Sequence, residues 1–178
     1  LQHVTKDGIV APKLRPMDYK KIANKDIADF REKKIFVNHR PLDEYAHVYF
    51  RPDNAMLAAV LKRDTPIPGR YRNYSQYSLN EIVIIRINID LTEHELYMVD
   101  QNAYHKHQPE DFIPSYRYME IIPKIEKMLK ETGWYNRNNE EELKRQFMAE
   151  CHIPKKFPLD SLKAICIADE RSIKNKGY

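Results

Sequence analysis

Four glycines, Gly8, Gly69, Gly133 and Gly177, are spread over 178 residues, and their scarcity limits the folds open to the chain. Neither GxGxxG nor GxxxxGK[ST] can be assembled from them. That excludes the Rossmann and P-loop architectures, which need glycines to bring backbone amides against phosphate. No GxSxG elbow and no HExxH pair occurs either. A nucleotide cofactor, if the chain uses one, must be held by side chains.

The rhythm of the remaining residues predicts an α+β fold. Helix formers over 25–33 suggest a short helix with Arg31 near its end, and "EYAHVYF" (44–50) reads as a strand. "RPDNAMLAAVLKR" suits a helix capped by Asp53 or Asn54. The β-branched "EIVIIRINIDL" (81–91) and the shorter "ELYMVDQNA" suggest two more strands, the second ending in a polar turn. An amphipathic helix is expected over 117–131, and another over "NNEEELKRQ", whose first-turn acids favour its N-terminus. Two strands, "FMAECHIP" (147–154) and "LKAICIADE" (162–170), close the chain. Helices and strands mix without a regular βαβ alternation, and composition shows no break, so one domain over 1–178 is expected.

The longest apolar runs, such as "IVII" at 82–85, fall far short of the roughly 20 residues that span a bilayer. A soluble, cytoplasmic, monomeric protein with no membrane partner is the expectation. Cys151 and Cys166 lie in candidate core strands without metal-ligand spacing, and so read as reduced, buried thiols. "HKH" at 105–107 reads as a solvated loop and no metal is expected. The net charge of +4 permits a nucleic-acid partner without requiring one. Local clustering says more. "RDTPIPGRYRNYSQY" (63–77) sets Arg63, Arg70 and Arg72 among Tyr71, Tyr74 and Tyr77, giving cations for phosphates beside rings on which bases can stack. A solvated Pro/Gly loop is the plainer reading of the same stretch.

Glu150 sits inside the apolar strand "FMAECHIP". A buried carboxylate costs several kcal/mol unless it is paired or used, so it is either an edge residue turned to water or a functional group.

The stretch "IANKDIADFREKKIFVNHRPLDEYAHVYFRPDNAML" resembles the DarT family of DNA ADP-ribosyltransferase toxins, which carry an IAN-x-x-I/V-x-x-x-R segment, then PLHDYV, then YF-x-x-x-N-x-ML. The family's D-x-NA turn matches Asp100, Asn102 and Ala103, and its AE-x-x-x-P strand matches Ala149, Glu150 and Pro154. The chain departs from the pattern at Asp43, Glu44 and Asp53. "LQHVTKDGI" aligns with the end of the family's first helix, which would leave the family's first strand and its NAD-contacting histidine before Leu1, with His3 on the helix.

The resemblance implies an ADP-ribosyltransferase-like split β-sheet with surrounding helices, and NAD as the substrate consumed. It implies that Glu150 is the catalytic glutamate and supports positive charge developing on the ribose as the nicotinamide bond breaks. Arg31 would be the essential arginine, meeting the NAD diphosphate or orienting or deprotonating the acceptor base. Tyr45 and Asn54 would line the cofactor pocket, and Asn102 would join Arg70, Tyr71, Arg72 and Tyr74 at the nucleic acid. The plainer readings are a surface helix arginine, a packed strand tyrosine and a helix-capping asparagine. The function implied is transfer of ADP-ribose to a base, thymidine, in single-stranded DNA, by the toxin of a toxin–antitoxin system with a macrodomain-type antitoxin as partner. The competing readings keep the fold but change the acceptor to guanine, RNA or protein, or make the chain a non-catalytic nucleic-acid-binding domain.

Overall fold

The computed structural model describes residues 7–16, 25–52, 83–91, 95–130, 145–158, 160 and 162–167. The helix expected from residue 53, with Asn54, lies outside them, as do the 63–77 loop, with Arg63, Arg70, Tyr71, Arg72, Tyr74 and Tyr77, and most of the helix expected at 138–146.

The described strands are β1 (Ile9–Val10), β2 (Phe36–Val37), β3 (Arg40–Pro41), β4 (Tyr45–Tyr49), β5 (Val83–Ile87), β6 (Tyr97–Val99), β7 (Ile113–Pro114), β8 (Glu150–Pro154), β9 (Lys156–Phe157) and β10 (Leu162–Ile167). Among the described residues two α-helices accompany them, α1 (Lys25–Lys34) and α2 (Ile122–Lys130). Every described pair is antiparallel. The strands form a four-stranded sheet in the order β4-β8-β6-β7 and the two-stranded ribbons β1-β9, β2-β3 and β5-β10. This is the α+β arrangement expected, with several small antiparallel sheets rather than one continuous parallel sheet. β8 runs between β4 and β6, so Glu150 is not an edge residue.

Local chemistry explains the tight places. The β2-β3 ribbon turns on Asn38 and His39, with φ of 46° and 62°. A two-residue hairpin loop needs that left-handed pair so that its twist matches the strands, and asparagine accepts it at low cost. Gly8 has φ of 81°, and a Cβ there would stand 2.2 Å from the Phe157 carbonyl oxygen, so only glycine lets the chain enter β1 against β9.

The helix expected over 117–131 is divided. A 3-10 segment covers Ser115–Glu120 with a non-helical Arg117, and the α-helix begins only at Ile122. Pro123 accounts for this boundary, because proline lacks an N–H and is tolerated only in a helix's first turn. The strand expected from residue 147 starts at Glu150, since Phe147 and Met148 form a turn whose Met148 and Ala149 amides donate to the Arg145 and Gln146 carbonyls.

One face of the four-stranded sheet carries Ala46, Met98, Cys151 and Ile153 into the larger core, where they join Phe147, Leu96, Phe157 and the Ile121, Ile125 and Met128 stripe beside and along α2. Arg51 closes the far end of that helix: its Nη1 donates to the Met128 carbonyl at 3.0 Å and its guanidinium stands 4.1 Å from the centre of the Phe147 ring. A second core, of Ile35, Val37, Leu42, Tyr45, Val99, Ala103 and Phe112, lies on the other face, with Phe30 of α1 packed against it.

Candidate active site

Strand alternation builds the site. Residues of one parity along β4 and β8 share a face, and the register pairs Tyr49 with Glu150 and His47 with His152. On the other flank β6 sets Val99 opposite Glu150 and Tyr97 opposite His152. Tyr49, His47, Glu150 and His152 therefore make a polar patch on the sheet face opposite the larger core. α1 runs over it and delivers Arg31, two positions past Asp29 and near the helix end where cations suit the macrodipole.

Arg31 Nη2 donates to Glu150 Oε1 at 2.5 Å across 119 positions of sequence. The Glu150 side chain is fully buried, while that of Arg31 keeps 12% exposure. Arg31 is thus the member of the pair that still meets solvent. Its Nη1 lies 3.3 Å from Nε2 of His47. His152, also fully buried, places Nε2 3.3 Å from Glu150 Oε2 without hydrogen-bond geometry. It is wedged between the rings of His47, at 6.0 Å, and Phe112, at 5.6 Å.

Charge follows from this packing. Burial opposes ionisation of Glu150, but the adjacent Arg31 guanidinium, helped by His152 and His47, outweighs it and holds the carboxyl down at about 2. Burial and the Arg31 charge together push His47 down to about 3. Burial also lowers His152, against the pull of Glu150. The patch is therefore one fixed ion pair flanked by two neutral imidazoles at neutral pH. Arg31 Nε, Glu150 Oε2 and both His152 ring nitrogens are buried with no hydrogen-bond partner. A buried polar atom left unpaired costs about 1–3 kcal/mol, so several in one spot call for a reason beyond packing. A ligand carrying hydroxyls and a delocalised negative charge fits that donor and acceptor set.

The structure brings Glu150 and Arg31 together and places Tyr45 and Asn102 outside that contact, while Asn54, Arg70, Tyr71, Arg72 and Tyr74 lie outside the described residues. Tyr45 is fully buried in the second core, and its hydroxyl donates to the Val37 carbonyl at 2.8 Å, which makes it a packing residue of this structure. Burial pushes its phenol up to about 12. Asn102 is buried in the turn after β6, where its Oδ1 accepts from the Tyr104 amide at 2.8 Å. Asp100, at the start of that turn, accepts from Lys106 and Lys124. Glu44, one of the departures from the family pattern, pairs with Lys13 at 2.7 Å. His47 and His152 were not among the sequence candidates. Their signal was available in the alternation: His47 falls two residues from Tyr49 and His152 two from Glu150, so each had to share the face of its neighbour.

The family model described as "ssDNA thymidine ADP-ribosyltransferase, DarT" matches residues 1–175. Among solved structures, Thermosipho africanus DarTG in complex with ADP-ribose is similar with a TM-score of 0.71 at 22% identity, over 98% of this chain and 43% of that one. Thermus sp. 2.9 DarT in complex with ADP-ribosylated ssDNA gives 0.70 at 17% identity, over 98% of this chain and 79% of that one. The same Thermus protein in complex with NAD+ gives 0.64 at 16%. This chain thus spans less than half the length of the Thermosipho protein and about four-fifths of the Thermus protein. No curated protein matches it.

Proposed function

Since the chain belongs to the DarT family, described as ssDNA thymidine ADP-ribosyltransferases, we propose that it transfers ADP-ribose from NAD to thymidine in single-stranded DNA, with Glu150 and Arg31 as its catalytic pair. The observation that carries this reading is the buried Arg31–Glu150 pair, joined across 119 positions of sequence.

Glu150, ionised and fixed, supports the positive charge that develops on the ribose as its bond to nicotinamide breaks. Arg31 remains a cation, because the Glu150 charge outweighs the burial that would lower its pKa. It therefore serves as a donor that orients the diphosphate or a thymine carbonyl, and not as the base. Nicotinamide leaves with the bonding electrons, the ribose carbon bonds to a ring nitrogen of thymine, and that nitrogen's proton passes to solvent. Base pairing hides this nitrogen in a duplex, which is the reason for a single strand. Structures of the Thermus protein with NAD+ and with ADP-ribosylated ssDNA support the choice of both substrates. The proposal extends to a cytoplasmic toxin restrained by a macrodomain-type antitoxin, on the family resemblance.

Labelled NAD incubated with thymine-containing and thymine-free oligonucleotides, each single-stranded and in duplex, tests it. Label should appear in the thymine-containing single strand alone. Equal labelling of thymine-free strands would move the acceptor to guanine or another base, and labelling of protein alone would discard nucleic acid as the substrate.

A further inference from the structure

We propose that His47 is a positioning residue for Arg31: a neutral imidazole, protonated on Nδ1, whose Nε2 accepts from the guanidinium and fixes the plane in which it meets Glu150. The inference rests on the catalytic reading of Arg31 and Glu150 given above.

Arginine constrains the state of its partner. Its five N–H groups are all donors and it has no acceptor, so the 3.3 Å approach of Arg31 Nη1 to His47 Nε2 is attractive only if that nitrogen carries no proton. The imidazole must then be neutral, with its proton on Nδ1. Arg31 on α1 and Arg15 oppose a charge on His47, Glu150 on β8 favours one, His152 beside it is itself pushed toward neutrality, and burial adds to the first group. Tyr49 on the same strand packs its ring edge-on at 6.3 Å.

The geometric consequence concerns freedom of rotation. Glu150 holds the guanidinium at Nη2 and Tyr49 also bonds the Arg31 side chain; His47 adds the contact at Nη1. Held by Oε1 on Nη2 and by His47 on Nη1, the guanidinium is fixed at two points in its own plane and has one orientation. Small misplacement of a group that must be aligned in the transition state costs on the order of 10²-fold in rate.

The test compares two variants in the full chain. His47→Leu keeps bulk but offers no acceptor, and kcat for transfer should fall about 10- to 100-fold with KM for NAD nearly unchanged. His47→Gln can still present an amide oxygen to Nη1 and should recover most of that loss. Thermal melts check that both variants fold. Independently, nitrogen-15 NMR of the wild-type rings at neutral pH should find His47 uncharged with Nε2 unprotonated. Wild-type kcat in a folded His47→Leu, or a wild-type His47 that is charged or protonated on Nε2, would overturn the proposal. Glu150→Gln and Arg31→Ala run beside them. Retained activity in those two overturns the catalytic reading itself and with it the role given to His47.

Discussion

The two faces of the four-stranded sheet are built from the same strands, residue by alternate residue, yet obey opposite rules. Ala46, Cys151, Ile153 and Met98 enter an apolar core that α2 closes. His47, Glu150 and His152 enter a buried polar patch that α1 closes with Arg31. The first face is satisfied within itself. The second retains unpaired nitrogen and oxygen atoms, a standing cost that stability alone does not explain. Substitutions on the polar face should therefore change chemistry more than stability when they keep shape, and substitutions on the apolar face should do the reverse.

The largest effect is expected at Glu150. Glu150→Gln keeps the volume but removes the charge, and transfer should fall by about 10²- to 10³-fold, the usual loss for one preorganised electrostatic group. Glu150→Ala should also unfold more easily. The 2.5 Å contact to Arg31 makes Glu150 one half of a buried ion pair. Removing one partner of a buried pair strands the other, at a cost of about 3–5 kcal/mol. Label transfer from NAD and thermal melts of both variants check this. Wild-type transfer by Glu150→Gln would end the catalytic role.

Met128→Ala is the matching break on the apolar face. Met128 is 2% exposed and fills the core between α2 and the sheet, so truncation should cost about 2–5 kcal/mol. Urea titration measures the loss, and kcat at a temperature where the variant is folded should stay at the wild-type value.

How much of this contrast could be read in advance depended on sequence distance. Glu150 in an apolar strand raised a question that one segment could pose, and matching motifs linked it to Arg31. The α+β class followed from the mix of periodicities. Alternation also encodes which residues share a face. What it does not encode is register: only the pairing of His47 with His152 and Tyr49 with Glu150 shows that two histidines flank the ion pair, and register arises from long-range packing. For the same reason Tyr45 could be assigned to a pocket, although its hydroxyl closes on Val37, eight residues away. The proline boundary at Ile122 was legible in Pro123 itself.

A smaller effect should appear as acid sensitivity of the polar face. His47 is lowered from 6.5 to about 3 in the folded protein. Between those values the unfolded chain binds a proton that the folded chain does not, so stability falls as pH falls. Glu150, lowered from 4.5 to about 2, contributes stability that is present above pH 4.5 and lost as pH drops toward 2. Both act in the same direction. Melting temperature should therefore decline from about pH 6.5 downward, and His47→Gln should flatten the upper part of that decline while leaving the part below pH 4.5. An identical pH profile in the variant would show that His47 is not held neutral.

The smallest effect tests whether two neighbours on one strand are independent. Cys151 lies between Glu150 and His152 but points into the apolar core, fully buried, and burial pushes its thiol far up. A thiol with no accessible thiolate is a poor nucleophile. Alkylation at pH 8 should therefore wait on opening of the sheet and follow the same denaturant dependence as unfolding. Cys151→Ala should cost about 1 kcal/mol and leave kcat unchanged, one residue away from a position where loss of charge is expected to lower transfer most. A folded Cys151→Ala protein with strongly reduced transfer would mean that packing beneath the sheet sets the geometry of the Arg31–Glu150 pair above it. The two faces would then have to be treated as one mechanical unit.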